Sequence, residues 1–170
     1  PAGNYVVRVT RPAGTDQSHD ASGSQVDDTS ALTLAAGANN LLQDFGYFGR
    51  GTIGDTVFFD INGDGIMNGQ DVGIPGVTLN LSADLDGDGT ADYTSIQITN
   101  GLGQYSFPAL PPGSYTITAT QPAGTAQTYD ANGPLNNQSV HVLGVDEDNV
   151  AQDFGYRGTG SIGDRVWFDI

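Results

Sequence analysis

The chain contains the same pattern twice, and the spacing of the copies sets the size of the unit that must fold. Pro1-Ala-Gly-Asn-Tyr5 returns as Pro111-Pro-Gly-Ser-Tyr115, and Pro12-Ala-Gly-Thr15 as Pro122-Ala-Gly-Thr125, both at an offset of 110 residues. Asp20-Ala-Ser-Gly23 returns as Asp130-Ala-Asn-Gly133 at the same offset. One deletion then makes the offset 109, matching Gln43-Asp-Phe-Gly-Tyr47 to Gln152-Asp-Phe-Gly-Tyr156 and Val57-Phe-Phe-Asp-Ile61 to Val166-Trp-Phe-Asp-Ile170. The sequence therefore samples a unit of roughly 110 residues about one and a half times. A complete unit is expected over 52–156, bounded by Gly49-Arg-Gly51 and Gly158-Thr-Gly160. Residues 1–48 are the second half of a preceding unit, and 161–170 the first strand of a following one. Linkers of a few residues leave neighbouring units almost touching, which favours a stiff rod.

Within the complete unit, apolar residues alternate with polar ones at the period of a strand. Val77, Leu79 and Leu81 alternate with Thr78, Asn80 and Ser82. Tyr115, Ile117 and Ala119 alternate with Ser114, Thr116 and Thr118, and Val140 and Val142 with Ser139 and His141. Thr56–Phe59, Tyr93–Thr99, Gln104–Phe107 and Val150–Tyr156 complete the set. The fold class is all-β: tandem immunoglobulin-like or transthyretin-like β-sandwich repeats of about seven strands. No amphipathic helix is found.

Charge and composition exclude several functions. Twenty acids, 19 of them Asp, stand against five Arg and no Lys, for a formal charge of −15. That balance opposes binding to nucleic acid or anionic membrane. No apolar run approaches the length of a membrane span. The skew to Asp over Glu points to turns and metal loops rather than to a generic solvated surface. There is no cysteine, so the core, bound metal or both must hold the fold. The chain begins at Pro1 without Met or a signal-peptide pattern and reads as a mature or excised segment.

The Asp residues cluster in two loops. Asp60-Ile-Asn-Gly-Asp-Gly-Ile-Met-Asn-Gly-Gln-Asp71 places oxygen side chains at loop positions 1, 3, 5, 9 and 12: Asp60, Asn62, Asp64, Asn68 and Asp71. Gly65 falls at position 6, where the chain must turn around an ion, and Ile66 at position 7 offers its backbone carbonyl. This is the donor schedule of a hard, oxygen-seeking cation, and calcium (Ca2+) is the expected cofactor. The bland alternative is an Asx-rich turn that binds nothing. Asp rather than Glu at position 12 shortens the reach of the closing ligand. The next segment, Val72-Gly-Ile-Pro-Gly-Val-Thr-Leu79, will not continue a helix, so the loop joins strands. Lying just after the first strand, it is expected near the joint with the preceding unit.

A second cluster, Asp84-Leu-Asp-Gly-Asp-Gly-Thr-Ala-Asp92, has carboxylates Asp84, Asp86, Asp88 and Asp92 at positions 1, 3, 5 and 9, with Thr90 supplying a carbonyl at position 7. Four acids in nine residues repel when empty, so a cation is expected there too, although position 12 is only Ser95. Asp130 with Asn132, repeated as Asp20 with Ser22, reads at least as well as an Asx-turn.

Catalysis has little support. His19 and His141 are not repeated between the copies and are expected at the surface. There is no Cys nucleophile, no Gly-x-Ser-x-Gly elbow and no phosphate-cradling glycine loop, so the chain is read as non-enzymatic. Trp167 takes the place of Phe58 and reads as a core aromatic.

Gly54-Asp-Thr-Val-Phe-Phe-Asp-Ile-Asn-Gly-Asp-Gly65, followed by Gly73-Ile-Pro-Gly-Val-Thr-Leu79, resembles the SdrD B-like repeat of serine–aspartate repeat surface proteins, within the Cna B-type sandwich group. Asn100-Gly-Leu-Gly-Gln-Tyr-Ser-Phe107, Leu110-Pro-Pro-Gly-Ser-Tyr115 and Asp153-Phe-Gly-Tyr156 extend the likeness through the unit. The resemblance implies secreted or surface-anchored stalks in which calcium rigidifies tandem sandwiches, with Asp60, Asn62, Asp64 and Asp71 on the first ion. Related Cna B-type domains often carry a Lys–Asn isopeptide bond, which a chain without lysine cannot form.

The sequence thus points to an extracellular, cell-surface structural array: a stalk, filament or matrix fibre. Its expected partners are adjacent repeats of the same chain and, in a fibre, identical chains. The alternative is a ligand-binding adhesin module recognising a host protein or glycan through the divergent stretches Val26–Asn40 and Leu135–Asn149.

Overall fold

The computed structural model describes residues 1–23 and 27–169. Val26, at the start of one divergent stretch, and Ile170, at the chain end, lie outside them. Among the described residues the regular structure is strand alone, and no helix is long and apolar enough to cross a membrane.

The unit expected to be complete holds β5 (Gly51–Phe59), β6 (Val72–Gly73), β7 (Thr78–Asp84), β8 (Tyr93–Ile98), β9 (Gln104–Leu110), β10 (Gly113–Ala119), β11 (Thr125–Asp130), β12 (Gln138–Leu143), β13 (Asp148–Asn149) and β14 (Phe154–Gly158). One sheet runs β12-β10-β7-β8, antiparallel throughout. The other is built on β5, which pairs antiparallel with β9 along its first half and parallel with β14 along its second; β14 carries β11 on its far side. This is a two-sheet sandwich with eight longer strands. β11 is the strand absent from the expected set, and β5 starts at Gly51 rather than Thr56.

Period-2 burial builds the core. Leu79, Leu81 and Ala83 of β7 and Tyr115, Ile117 and Ala119 of β10 point inward, against Ile53, Val57, Phe107, Phe154 and Tyr156 of the other sheet. Each large side chain removed from water in this way contributes about 1.5–3 kcal/mol. On β9 the period breaks, because Phe107 and Leu110 both face the core. An extra residue between them is absorbed by a bulge opposite Gly51–Ile53, with Ala109 in the left-handed region at φ 61°.

Residues 1–49 form β1 (Gly3–Arg8), β2 (Thr15–Asp20), β3 (Thr29–Leu34) and β4 (Phe45–Gly49). Their pairing copies the complete unit: β1 with β3 as β10 with β12, and β2 with β4 as β11 with β14. Even the bulge repeats, between Gln17 and His19 and between Gln127 and Tyr129. So do the polar ties. The side-chain amide of Gln17 donates to the His19 carbonyl as that of Gln127 does to Tyr129, both at 3.2 Å. Tyr5 Oη donates to the Pro1 carbonyl as Tyr115 Oη does to Pro111, both at 2.7 Å. What differs is the covering sheet. Tyr5 and Val7 are 39% and 37% exposed where Tyr115 and Ile117 are at 0%. Counterparts of β5, β7, β8 and β9 are what bury these positions in the complete unit.

Residues 159–169 carry no strand. Trp167 is 71% exposed, whereas its counterpart Phe58 is fully buried among the partners of β5. In this structure Trp167 therefore does not occupy a core.

Candidate metal centres

The loop over 60–71 leaves the downstream end of β5. Asp60, fully buried, is fixed by a backbone N–H bond to the Tyr156 carbonyl at 2.8 Å. Its carboxylate gathers the chain around itself. Oδ1 accepts the amides of Gly63 (2.6 Å) and Asp64 (3.1 Å), and Oδ2 that of Gly65 (3.0 Å). Gly63 and Gly65 take φ of 78° and 76°, which lets the backbone curl this tightly. Asp71 closes the loop from its far end, accepting the amides of Ile61 (2.8 Å) and Asn68 (2.9 Å). Asp64 accepts the side-chain amides of Asn68 and Asn62 at 2.9 and 2.8 Å and the Ile66 amide at 2.9 Å. These bonds, that from Asn68 foremost, hold its carboxyl below the ordinary value.

One carboxylate oxygen each from Asp60, Asp64 and Asp71 lies within 4.8 Å of the others. Three anionic oxygens at that separation, with Asn62 and Asn68 beside them, form an all-oxygen donor set that fits a hard divalent cation. Ile66 is in the loop with its side chain exposed.

The loop over 84–92 repeats the design at the other end of the unit. Asp84 accepts the amides of Gly87 (2.7 Å) and Gly89 (2.8 Å), the same two loop positions that Asp60 holds through Gly63 and Gly65. Asp86 and Asp88 accept the amides two residues ahead, of Asp88 (3.1 Å) and Thr90 (2.7 Å). The Thr90 hydroxyl also bonds Asp88, and this is the leading cause that holds the Asp88 carboxyl below its usual value. Oxygens of Asp84, Asp86 and Asp88 converge within 4.8 Å.

Asp92 stands outside that trio. Its Oδ2 accepts the amides of Leu85 (2.6 Å) and Asp86 (3.2 Å), so it ties back to the second residue of its loop as Asp71 does to Ile61. The second loop is three residues shorter, and its closing carboxylate comes at position 9. Counting to Ser95 at position 12 misses this equivalence.

The placement of the first loop corrects the sequence expectation. β5 runs the length of the sandwich, so Asp60 emerges beside Tyr156 and Arg157, at the end away from residues 1–49. The loop over 84–92 is the one that lies near residues 1–49: Leu85 within it and Tyr93 just after it line a pocket of about 260 Å³ with Tyr47, Phe48 and Leu110. Asp20 and Asp130 form Asx-turns with Ser22–Gly23 and Asn132–Gly133.

Two polar clusters escaped the sequence reading. Asp153, just ahead of β14, accepts the Thr56 amide at 3.0 Å; burial first, then the Asp55 charge, push its carboxyl up to about 6. His141 is half-buried rather than on the surface. It bonds Glu147 at 2.8 Å and Asn149 at 3.2 Å, and Asn149 in turn accepts from the Gln152 side chain at 2.9 Å. Gln152 accepts the buried Ser139 hydroxyl. His19 is exposed.

The family model of the SdrD B-like domain matches residues 51–156. Among curated relatives, serine-aspartate repeat-containing protein D of Staphylococcus aureus (strain Newman) is 31% identical over 98% of this chain and 13% of its own length. Serine-aspartate repeat-containing protein E of Staphylococcus aureus (strain Mu50) is 30% identical over 97% of this chain and 15% of its own. The chain thus spans a small part of either relative. A solved streptococcal ancillary pilin aligns with a TM-score of 0.46 and 14% identity, over 95% of this chain and 43% of its own.

Proposed function

Because the chain belongs to the SdrD B-like domain family, we propose that it is a segment of a non-enzymatic extracellular stalk at a microbial cell surface, built from tandem β-sandwiches that calcium stiffens. In this reading residues 52–156 are one complete repeat. Residues 1–48 are the second half of the repeat before it, and 161–170 begin the first strand of the repeat after it. The partners of each unit are its neighbours in the chain.

One observation carries the proposal: the same unit gathers three carboxylate oxygens at each of its two ends, Asp60, Asp64 and Asp71 downstream and Asp84, Asp86 and Asp88 upstream. Asp60, Asn62, Asp64, Asn68 and Asp71, with the Ile66 carbonyl, hold one ion. Asp84, Asp86 and Asp88, with the Thr90 carbonyl, hold the second, and Asp92 closes its loop. Carboxylates set this close repel, and a divalent cation removes the repulsion while cross-linking the loop to the strands that end in it. Extracellular calcium modules bind at about 10⁻⁴–10⁻³ M, and at tenfold that concentration each site adds about 1.4 kcal/mol to folding.

Isothermal titration of calcium into the EGTA-stripped chain is the test. Uptake of two ions, reduced to one by Asp64→Asn or by Asp88→Asn, supports the reading; no uptake by the folded chain overturns it.

A further inference from the structure

Between β4 and β5 lies a single residue, Arg50, and its guanidinium touches both units. Nε and Nη2 fork onto the two oxygens of Asp146 at 2.8 and 2.7 Å, in the turn between β12 and β13 of the complete unit. Nη1 lies 3.5 Å from Asp16, on β2 of the unit before. The backbone is fastened as well: the Arg50 amide donates to the Gly14 carbonyl and the Thr52 amide to the Glu147 carbonyl, each at 3.0 Å. The two units also meet without room between them. A Cβ on Gly14 would lie 2.9 Å from Pro112 Cγ.

The repeat supplies an internal comparison. At the next joint Thr159 stands where Arg50 does: its amide and its hydroxyl both donate to the Gly124 carbonyl at 3.0 Å, and it brings no charge to the joint. Ala126 there replaces Asp16. On the receiving side, the position of Asp146 is Gly37 in the earlier copy. Both residues sit in the left-handed region, at φ 54° and 74°. Aspartate is among the few side chains that such a turn tolerates, and in place of glycine it sets a carboxylate where the Arg50 guanidinium can fork onto it.

We infer that the ends of successive units carry matched charges, so that the Gly-Arg-Gly joint at residue 50 is clamped onto its downstream neighbour by an ion pair, which the Gly-Thr-Gly joint at residue 159 has no charge to make. The partner that fits the Arg50 end is a unit presenting Asp in the β12–β13 turn beside a Leu-Pro-Pro corner. A stalk built this way has joints of unequal stiffness in a fixed order. The inference rests on the tandem arrangement proposed above and is independent of whether calcium binds.

The chain has no cysteine, so Ala31→Cys with Ile96→Cys gives two clean nitroxide sites, one in each unit, for electron–electron distance measurement on the full chain. One narrow distance is expected at low salt. Arg50→Thr should broaden it, with the closed-to-open ratio falling about fivefold, the upper range for an exposed ion pair. Salt at 1 M, where screening acts within about 3 Å, should broaden the parent to the same extent and leave Arg50→Thr unchanged. Circular dichroism confirms that both are folded. An Arg50→Thr distribution identical to the parent, or a parent already broad at low salt, overturns the clamp. EGTA separates the two readings. Broadening on chelation with none from Arg50→Thr removes the clamp and keeps the calcium reading; the reverse removes calcium and keeps the clamp.

Discussion

The carboxylate of Asp153 accepts the amide N–H of Thr56 at 3.0 Å, fastening the lead-in of β14 to the middle of β5. The same Thr56 donates its hydroxyl to Asp55 at 3.0 Å, so two carboxylates share one residue at the seam where the first and last long strands of the unit meet. Among the described residues neither carboxylate forms an ion pair. That is the arrangement in which a half-buried acid keeps its proton into the weakly acidic range.

A pH dependence results. The Asp153 carboxyl is raised to about 6 in the folded chain against an ordinary 3.8, so between those values the folded state binds the extra proton. Stability should therefore increase as pH falls from 7 to 5, by about 1 kcal/mol once the partial exposure of the group is allowed for. Below about pH 4 the trend should reverse. The carboxylates of Asp64, Asp88 and Glu147, which are held low, contribute stability that is lost there. Urea unfolding in EGTA at pH 7 and pH 5 measures the gain, and Asp153→Asn should remove it; an equal gain in that variant would contradict the assignment to Asp153.

Much of the fold was legible in the residues, and the physical reasons differ from strand to strand. Strict alternation in β7 and β10 reflects one face buried and one in water, so the pattern is written directly into Leu79–Leu81 and Tyr115–Ile117. β11 was not legible. Thr125-Ala-Gln-Thr-Tyr-Asp130 packs partly on both faces across a bulge, and its polar residues serve hydrogen bonds rather than a core. The first turn of β5 was hidden by glycine: a Cβ on Gly54 would lie 2.3 Å from the Tyr105 carbonyl oxygen, so the strand needs a residue that strand composition disfavours. Of the site, the converging acids could be read from spacing. The role of Asp92 could not, because a shorter loop changes which position closes it.

Gly73, in β6, faces the Leu102 carbonyl so closely that a Cβ would lie 1.9 Å from its oxygen. Backbone cannot yield as a side chain can. Gly73→Ala should destabilise the unit by about 2–4 kcal/mol, read as a lower urea midpoint at unchanged slope. Gly101→Ala, in the turn that carries Leu102 but with open space around it, is the control and should cost less than about 1 kcal/mol.

Ser139→Ala tests the buried polar network. It strands the Gln152 side-chain oxygen, which loses its hydroxyl donor inside the sandwich. The expected cost is about 1–3 kcal/mol. Gln152→Leu together with Ser139→Ala removes both polar groups, and the pair should cost less than the two single changes added together.

The loops at Asp60 and at Asp84 lie at opposite ends of the sandwich, yet both follow strands that carry the core. Thermal unfolding with and without calcium therefore reports on the whole unit. The most direct measurement is the melting temperature of the chain in EGTA against that in 5 mM calcium. Two sites together should raise it by about 10 °C or more, and Asp60→Asn should lose about half of the rise. A melting temperature identical in EGTA and in calcium would contradict a calcium-stiffened array.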